Sequence, residues 1–282
     1  MKKTIYLILI SAFVFIIGCD TKPEEQNKTT PVEQITEKSP KEKLKEAYQL
    51  FKEGKDAESV ALAEEVLAIG KEIKNDTLIG RALTSLCRNA QRTLDTNKLA
   101  ELSKGLEELA ESSGNQKWLM YRAHQNAEMW RLIGNMDRAE SYYDESMRIS
   151  SETGSKGMFM IDHFNKSFVS TAKGDFDEAQ RLITKYYELR REMDSTKEDA
   201  YGLIALAYLL EKKKNYQGAH EVAVVTRRLF KEQDIFPEPP DEKPLLAVEN
   251  KVKEVIKPSD LIEISTKSES ESVSSLLKKY LN

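Results

Sequence analysis

The chain has 282 residues, of which 40% are hydrophobic and 32% are charged, and its formal net charge is −4. That share of apolar residues supports a folded core with a well-solvated exterior, and the small numbers of glycine (12) and proline (8) favour helices over sheets. An acidic chain without a dense block of lysine and arginine is a poor candidate for binding nucleic acid.

The chain begins with a pattern typical of a secretory signal peptide over residues 1–18. Lys2 and Lys3 precede an apolar run over residues 5–17, which is too short to span a bilayer comfortably. The run ends in I-I-G-C, and this motif resembles the bacterial lipoprotein box. The resemblance implies cleavage before Cys19 and attachment of lipid to Cys19. An ordinary signal peptide whose cleavage site includes a cysteine is the alternative.

Residues 19–40 are rich in glutamate, lysine, threonine and proline and carry few large apolar side chains. Such a segment buries too little apolar surface to fold, so it is predicted to be a flexible, lipidated tether. Cleavage would leave 41 basic and 47 acidic residues, with Cys87 as the only thiol besides a lipidated Cys19, which excludes an intramolecular disulfide. The expected location is the bacterial cell envelope, at the periplasmic face or the outer membrane.

Residues 41–234 repeat with a register of 40 residues. The stretch 134–154 aligns without an insertion with four others, at 54–74, 94–114, 174–194 and 214–234. A register kept through five units is typical of a stacked array rather than of a globular enzyme. Each unit is predicted to contain a helix, a short turn, a second helix and a longer turn.

Two positions in each unit, twelve residues apart, carry mostly small side chains. They are Ala47, Cys87, Ala127, Ser167 and Ala207 in the first helices and Ser59, Leu99, Ala139, Ala179 and Ala219 in the second. Small residues with this spacing, on either side of a Gly-Asp/Asn turn and followed by an aromatic residue such as Tyr143, resemble the tetratricopeptide repeat (TPR). With the 40-residue register, the resemblance implies an all-α, right-handed α-solenoid of about five helix-turn-helix repeats, in which the first helix of each pair lines a concave groove.

The tail, residues 235–282, is predicted to be a proline-containing linker followed by capping or docking helices. Residues 236–240, F-P-E-P-P, favour an extended break. One amphipathic helix is predicted from Leu245 to Val255 and another from Val273 to the end, with a solvated linker over Ser265–Ser272. The first helix is expected to cap the array, whereas the terminal helix either caps it or docks on another molecule.

The sequence contains no motif for nucleotide binding, for a serine hydrolase, or for a zinc or thiol redox site. His124 and Glu128 have the spacing of metal ligands on one helical face, but a pair of this kind is usually a surface hydrogen bond. Asp162 and His163 are adjacent and face different sides of a helix, which excludes a dyad between them. The expectation is therefore a protein that is not an enzyme and holds no cofactor or metal.

The resemblance also places a set of side chains on the concave groove, basic at one end and aromatic at the other. The candidate binding residues are Arg81, Arg88, Arg92, Tyr121, His124, Arg131, Phe164, Phe168, Tyr201 and Tyr208. Arginine captures carboxylates with two hydrogen bonds and aromatic rings give rigid apolar contacts, so this groove suits an extended or helical peptide with an acidic group. The alternative is that the aromatic rings pack against neighbouring helices and the arginines are solvated.

The sequence thus predicts a membrane-anchored lipoprotein that acts as a TPR-type adaptor or scaffold for a protein or peptide partner at the cell envelope. The alternative function is a peptide- or ligand-sensing module that works through a separate membrane-embedded partner. After the signal peptide, the sequence has no second stretch of eighteen apolar residues that could carry a signal across the membrane.

Overall fold

A computed structural model describes residues 38–193 and 199–281, and over this part of the chain it consists of thirteen α-helices without any strand. The first ten helices form the array: α1 (Pro40–Lys52), α2 (Asp56–Glu72), α3 (Asp76–Arg92), α4 (Thr96–Ser113), α5 (Gln116–Ile133), α6 (Met136–Glu152), α7 (Lys156–Lys173), α8 (Phe176–Glu192), α9 (Asp199–Lys212) and α10 (Tyr216–Glu232). Each helix packs against the next. The predicted all-α class is confirmed.

A residue in the left-handed backbone conformation ends the helices at steps of 20 residues from Gly54 to Gly174, and the same register continues at Lys214 and Asp234. These residues are Gly54, Lys74, Leu94, Gly114, Gly134, Gly154, Gly174, Lys214 and Asp234, all with φ between 50° and 89°. A left-handed residue satisfies the last carbonyl groups of a helix and turns the chain back on itself. In several turns an Asn or Asp follows and caps the next helix, as Asn135 does by accepting a hydrogen bond from the backbone N–H of Arg138 at 3.2 Å.

The small residues of the repeat hold neighbouring helices together. All ten of them, from Ala47 to Ala219, have 0% of their surface exposed. The hydroxyl of Ser59 in α2 donates a hydrogen bond to the carbonyl oxygen of Ala47 in α1 at 2.8 Å, which shows how closely these two helices approach. Buried Cys87 occupies one of these positions, as the sequence indicates.

Three further helices follow the array: α11 (Pro239–Val255), α12 (Pro258–Ser268) and α13 (Val273–Tyr280). Helix α11 lies against α9 and α10 and buries Leu245, Val248 and Val252 completely. Helices α12 and α13 pack against α10, and Leu276 of α13 is fully buried.

Helix α12 corrects the first half of the predicted solvated linker over Ser265–Ser272, because it continues to Ser268, whereas residues 269–272 lie between the helices. Pro258 occupies its first turn, where the missing N–H of proline costs nothing. Leu261 packs against the core and Ser268 is buried, while His220 of α10 lies 3.0 Å from the hydroxyl of Ser265. Contacts with α10 therefore order the first half of a segment whose composition is typical of a loop.

The signal peptide, most of the tether and Cys19 lie outside the described residues. The described chain begins just before α1, where Ser39 and Glu42 form a capping box that fixes the start of the helix. None of the helices in residues 38–193 and 199–281 combines the length and apolar character needed to cross a bilayer.

Candidate functional site

A cleft of about 280 Å³ lies along the first helices of successive pairs, and it is called the central cleft below. Side chains from α3, α5, α7 and α9 line it, together with Tyr48 of α1 and Tyr186 of α8. The start of α11 closes part of it with Glu238, Pro240 and Asp241. The repeat therefore brings residues far apart in sequence to one surface.

Six of the ten predicted groove residues line the central cleft: Arg88, Tyr121, His124, Arg131, Phe164 and Tyr201. Arg81 lines a neighbouring cleft of about 250 Å³, called the basic cleft, which also contains Arg88, Lys117 and Tyr121. Arg92, Phe168 and Tyr208 line neither of the two.

Arg92 joins α3 to α1. Its guanidinium lies 3.7 Å from the centre of the Phe51 ring, donates a hydrogen bond to the carbonyl oxygen of Phe51 and lies 3.3 Å from Asp56. With these partners Arg92 is directed away from the central cleft.

The aromatic end of the predicted groove is largely packed. Phe164 and Phe168 are both buried, and their ring centres lie 5.1 Å apart in an edge-to-face arrangement. The ring of Tyr208 lies 5.8 Å from that of Phe168. These rings hold α7 against α9, which agrees with packing as the alternative for this end.

A buried polar network forms the floor of the central cleft. His124 Nδ1 on α5 lies 2.7 Å from Asp162 Oδ1 on α7, and Ser146 donates to Asp162 Oδ2 at 2.6 Å. Glu128 pairs with Arg131 at 2.7 Å and accepts a hydrogen bond from the hydroxyl of Tyr143. This corrects the prediction of a surface hydrogen bond between His124 and Glu128, because both are buried and each has another partner.

Burial and charge act in opposite directions on the titrating groups of this network. Burial alone disfavours a charged imidazole, but the Asp162 carboxylate outweighs it, so the pKa of His124 is raised. Burial also raises the pKa of Asp162, and His124 only partly offsets this. For Glu128 the attraction of Arg131 overcomes burial and lowers the pKa.

The network does not have the geometry of a catalytic triad. Asp162 lies between Ser146 and His124, so the Ser146 hydroxyl donates to the carboxylate and not to an imidazole base. Nor is any group of three or more His, Cys, Asp or Glu side chains in residues 38–193 and 199–281 arranged to hold a metal ion.

Among the residues that the structure describes, Arg88 is the cation of the central cleft that remains open to a ligand, because Arg131 is paired with Glu128. Its guanidinium lies 5.1 Å from the centre of the Tyr48 ring and 5.9 Å from that of Phe51. It forms no ion pair with a residue that the structure describes, and neither do Arg81 and Lys117 in the adjoining basic cleft. Stacking on two rings holds Arg88 in place while its N–H groups stay available.

Two acidic side chains from the start of α11 enter the same space. Burial raises the pKa of Glu238, while Arg88 and Arg92 act to lower it. Burial raises the pKa of Asp241 to about 7 against the opposing charge of Arg131. The hydroxyl of Tyr201 donates a hydrogen bond at 3.1 Å to the carbonyl oxygen of Phe236, just before this turn.

No family model and no curated protein matches the sequence. The structure is similar to that of a thermophilic TPR protein from Thermus thermophilus, with 17% identity over 76% of this chain and 98% of that one and a TM-score of 0.51. It is also similar to the apo form of RapI, with 13% identity over 87% of both chains and a TM-score of 0.51. The chain has a TPR-like fold.

Within this TPR-like fold, sequence reasoning missed two features of the cleft. It assigned no partner to Asp162, although Asp162 lies 38 residues after His124, close to one repeat period, on the next first helix. It also missed that the start of α11 lies in the cleft, and the only available signal was the acidic character of P-E-P-P-D opposite a groove predicted to be basic.

Proposed function

We propose that this chain is a lipid-anchored, TPR-type adaptor of the bacterial cell envelope that holds a protein or peptide partner in its central cleft. The observation that carries the proposal is Arg88, stacked on Tyr48 inside the cleft and without an ion pair in the described chain. A guanidinium held in this way binds a carboxylate with two parallel hydrogen bonds and loses little side-chain freedom.

The surroundings of Arg88 favour an acidic peptide over other anions. Arg81 and Lys117 add positive charge nearby, whereas Tyr48 and Tyr121 offer flat aromatic surface. Across the cleft, Met158 and the exposed Ile161 provide apolar contacts. A peptide with a carboxylate next to an apolar side chain would place the carboxylate near Arg88 and the apolar side chain near Met158 and Ile161.

The lipid anchor is the second part of the proposal and is supported by the I-I-G-C motif that ends at Cys19. Two or three acyl chains hold a protein durably on a membrane, since each buried methylene contributes about 0.8 kcal/mol. The predicted tether, residues 19–40, is then long enough to leave room for a partner above the membrane.

The cleft is tested by retention of a partner from envelope extract on the purified chain. Arg88→Glu should lose a stoichiometric partner that the wild-type chain retains. Arg148→Glu is the matched control, because the Arg148 side chain is 61% exposed on α6 and, among the described residues, pairs only with Glu152. Retention of the same partner by the Arg88→Glu chain at low salt would refute the cleft as the binding surface.

The anchor is tested by metabolic labelling with a fatty acid. The wild-type chain and a Cys87→Ser variant should both incorporate the label and sediment with membranes, because Cys87 is buried. A Cys19→Ser variant should do neither. Label on the Cys19→Ser chain would contradict the assignment.

The sensing module remains the second candidate, and one observation favours it. The start of α11 shares the cleft with any ligand, so binding there would be coupled to the tail. Mass spectrometry of the retained material separates the two functions: a stoichiometric protein supports the adaptor, and a short peptide supports the sensor.

A further inference from the structure

The start of α11 does more than cap the array. The apolar side chains of α11 that cover the last repeat are Leu245, Val248 and Val252, one to four turns into the helix. The acidic turn before them, residues 236–241, instead extends into the central cleft, where Pro240 is buried and Asp241 is half-buried. Capping alone does not require this extension.

Two prolines make it easy to bury the start of this helix. Pro239 and Pro240 occupy the first two positions of α11 and have no N–H group, so two of the donors that a helix start normally leaves unsatisfied are missing. The backbone N–H groups of Asp241 and Glu242 both donate to the carbonyl oxygen of Glu238, at 2.9 and 2.8 Å. The turn can therefore enter the cleft without leaving the backbone N–H groups of Asp241 and Glu242 unpaired.

The acidic side chains of the turn are opposite in charge to the arginines of the cleft, but they lack direct ion pairs with the described residues. Glu238 lines the cleft with Arg88, and Asp241 lines it with Arg131. The charges of Arg88 and Arg92 act on Glu238 and that of Arg131 acts on Asp241, although Arg92 itself is directed away from the cleft. Arg92 is already paired with Asp56 and Arg131 with Glu128. Neither Glu238 nor Asp241 forms an ion pair with any other described residue, so both carboxylates lose water without a direct replacement.

The rest of α11 is held firmly behind this turn. Arg227 of α10 binds Glu242 at 2.7 Å and Glu249 at 2.7 Å. These ion pairs keep the body of the helix on the array, so that the cleft can open by a movement of residues 236–241.

We infer that the turn 236–241 is an internal competitor, and that the partner of the cleft is a peptide with two acidic side chains three residues apart, as Glu238 and Asp241 are. The inference deepens the proposed function and rests on it. A segment of the same chain has a high effective concentration at the cleft, so it excludes a peptide of similar affinity. A partner that places a carboxylate directly on Arg88 makes the contact that the internal turn lacks, and it displaces the turn.

The test uses the complete folded chain and a fluorescein-labelled synthetic peptide with the sequence of residues 235–243, followed by fluorescence anisotropy. Glu238→Lys with Asp241→Lys should expel the turn, because it would place two lysines in a cleft that already contains Arg88 and Arg131. We expect this variant to bind the peptide at least tenfold more tightly than the wild-type chain. Asp260→Lys with Glu263→Lys is the matched control, since it reverses two exposed acids with the same spacing on α12. This control should bind like the wild type.

A conservative variant keeps the inference falsifiable if the double reversal does not fold. Asp241→Asn removes a charge that is costly to bury, so the turn should occupy the cleft more firmly and peptide binding at pH 8 should weaken at least threefold. Equal binding by the wild type and by whichever of these variants folds would overturn the internal competitor. If, in addition, Arg88→Glu left partner retention unchanged, the proposed function would fail too, and otherwise it would stand.

Discussion

His124 on α5 and Asp162 on α7 form a buried pair, with 2.7 Å between Nδ1 and Oδ1, that ties two successive first helices of the array together. Ser146 of α6 donates to the other oxygen of the same carboxylate. Three consecutive helices thus meet at one side chain, which is itself completely buried.

Replacing Asp162 with alanine should destabilise the protein by roughly 3–5 kcal/mol, because it leaves the imidazole and the Ser146 hydroxyl buried without their partner. The measurement is the free energy of unfolding in urea. Glu152→Ala is the control, since it removes an exposed partner of Arg148 and should change stability by less than about 0.5 kcal/mol. Equal effects of the two substitutions would show that the buried pair adds nothing.

The contribution of His124 to stability should depend on pH. Its pKa is raised in the folded chain, so its stabilising effect is complete below the unfolded value near 6.5 and is lost as pH rises through the folded value. We expect the difference in unfolding free energy between the wild type and His124→Gln to be larger at pH 6 than at pH 8.5. Glu128 and Arg88 also act on this imidazole, Glu128 to raise its pKa and Arg88 to lower it. If the difference in unfolding free energy between the wild type and His124→Gln were larger at pH 8.5 than at pH 6, the predicted effect of the raised pKa would be contradicted.

The left-handed turns offer a second test of stability. Leu94 has φ of 55°, which costs a residue with a side chain about 1 kcal/mol or more, so Leu94→Gly should stabilise the chain by about 0.5–1 kcal/mol. The reverse change, Gly134→Ala at φ of 89°, should destabilise it by about 1 kcal/mol. The measurement is the free energy of unfolding of each variant, from thermal or urea denaturation. If both substitutions changed it in the same direction, the left-handed conformation would not explain the effects.

Gly80 should not tolerate alanine. A Cβ atom there would lie 2.3 Å from the ring of Trp118, which is buried, and overpacking of this kind costs about 1–3 kcal/mol. Gly157→Ala is the matched control in another first helix, where the nearest atom would lie 4.0 Å away. It should be neutral or slightly stabilising. A stable Gly80→Ala variant would mean that α3 and α5 separate more easily than their packing indicates.

The helical array could be predicted from the sequence because its information is local and repeated. The same small residues and turn residues return at fixed intervals, and each interval sets the length of a helix and the place where the chain reverses. The burial of Ala127 and Ala139 and the position of Arg88 in the central cleft both follow from that register.

The details of the cleft could not be predicted, because they depend on angles between helices. Arg92 is one turn of helix beyond Arg88, yet it points to Phe51 and Asp56 because α1 lies beside it. The pairing of His124 with Asp162 requires two side chains on different helices to meet within hydrogen-bond distance. The position of Glu238 depends on how α11 folds back, and no repeat unit specifies that path.

The equal spacing of the left-handed turns makes the array modular. The forty-residue block between Gly134 and Gly174 begins and ends with the same left-handed backbone conformation. Its duplication would therefore lengthen the protein and leave the neighbouring repeats in register. The cleft would not be duplicated whole, because the acidic turn that reaches it comes from the tail. A longer version of this protein would therefore gain surface for other molecules while the distance between its tail and Arg88 increased.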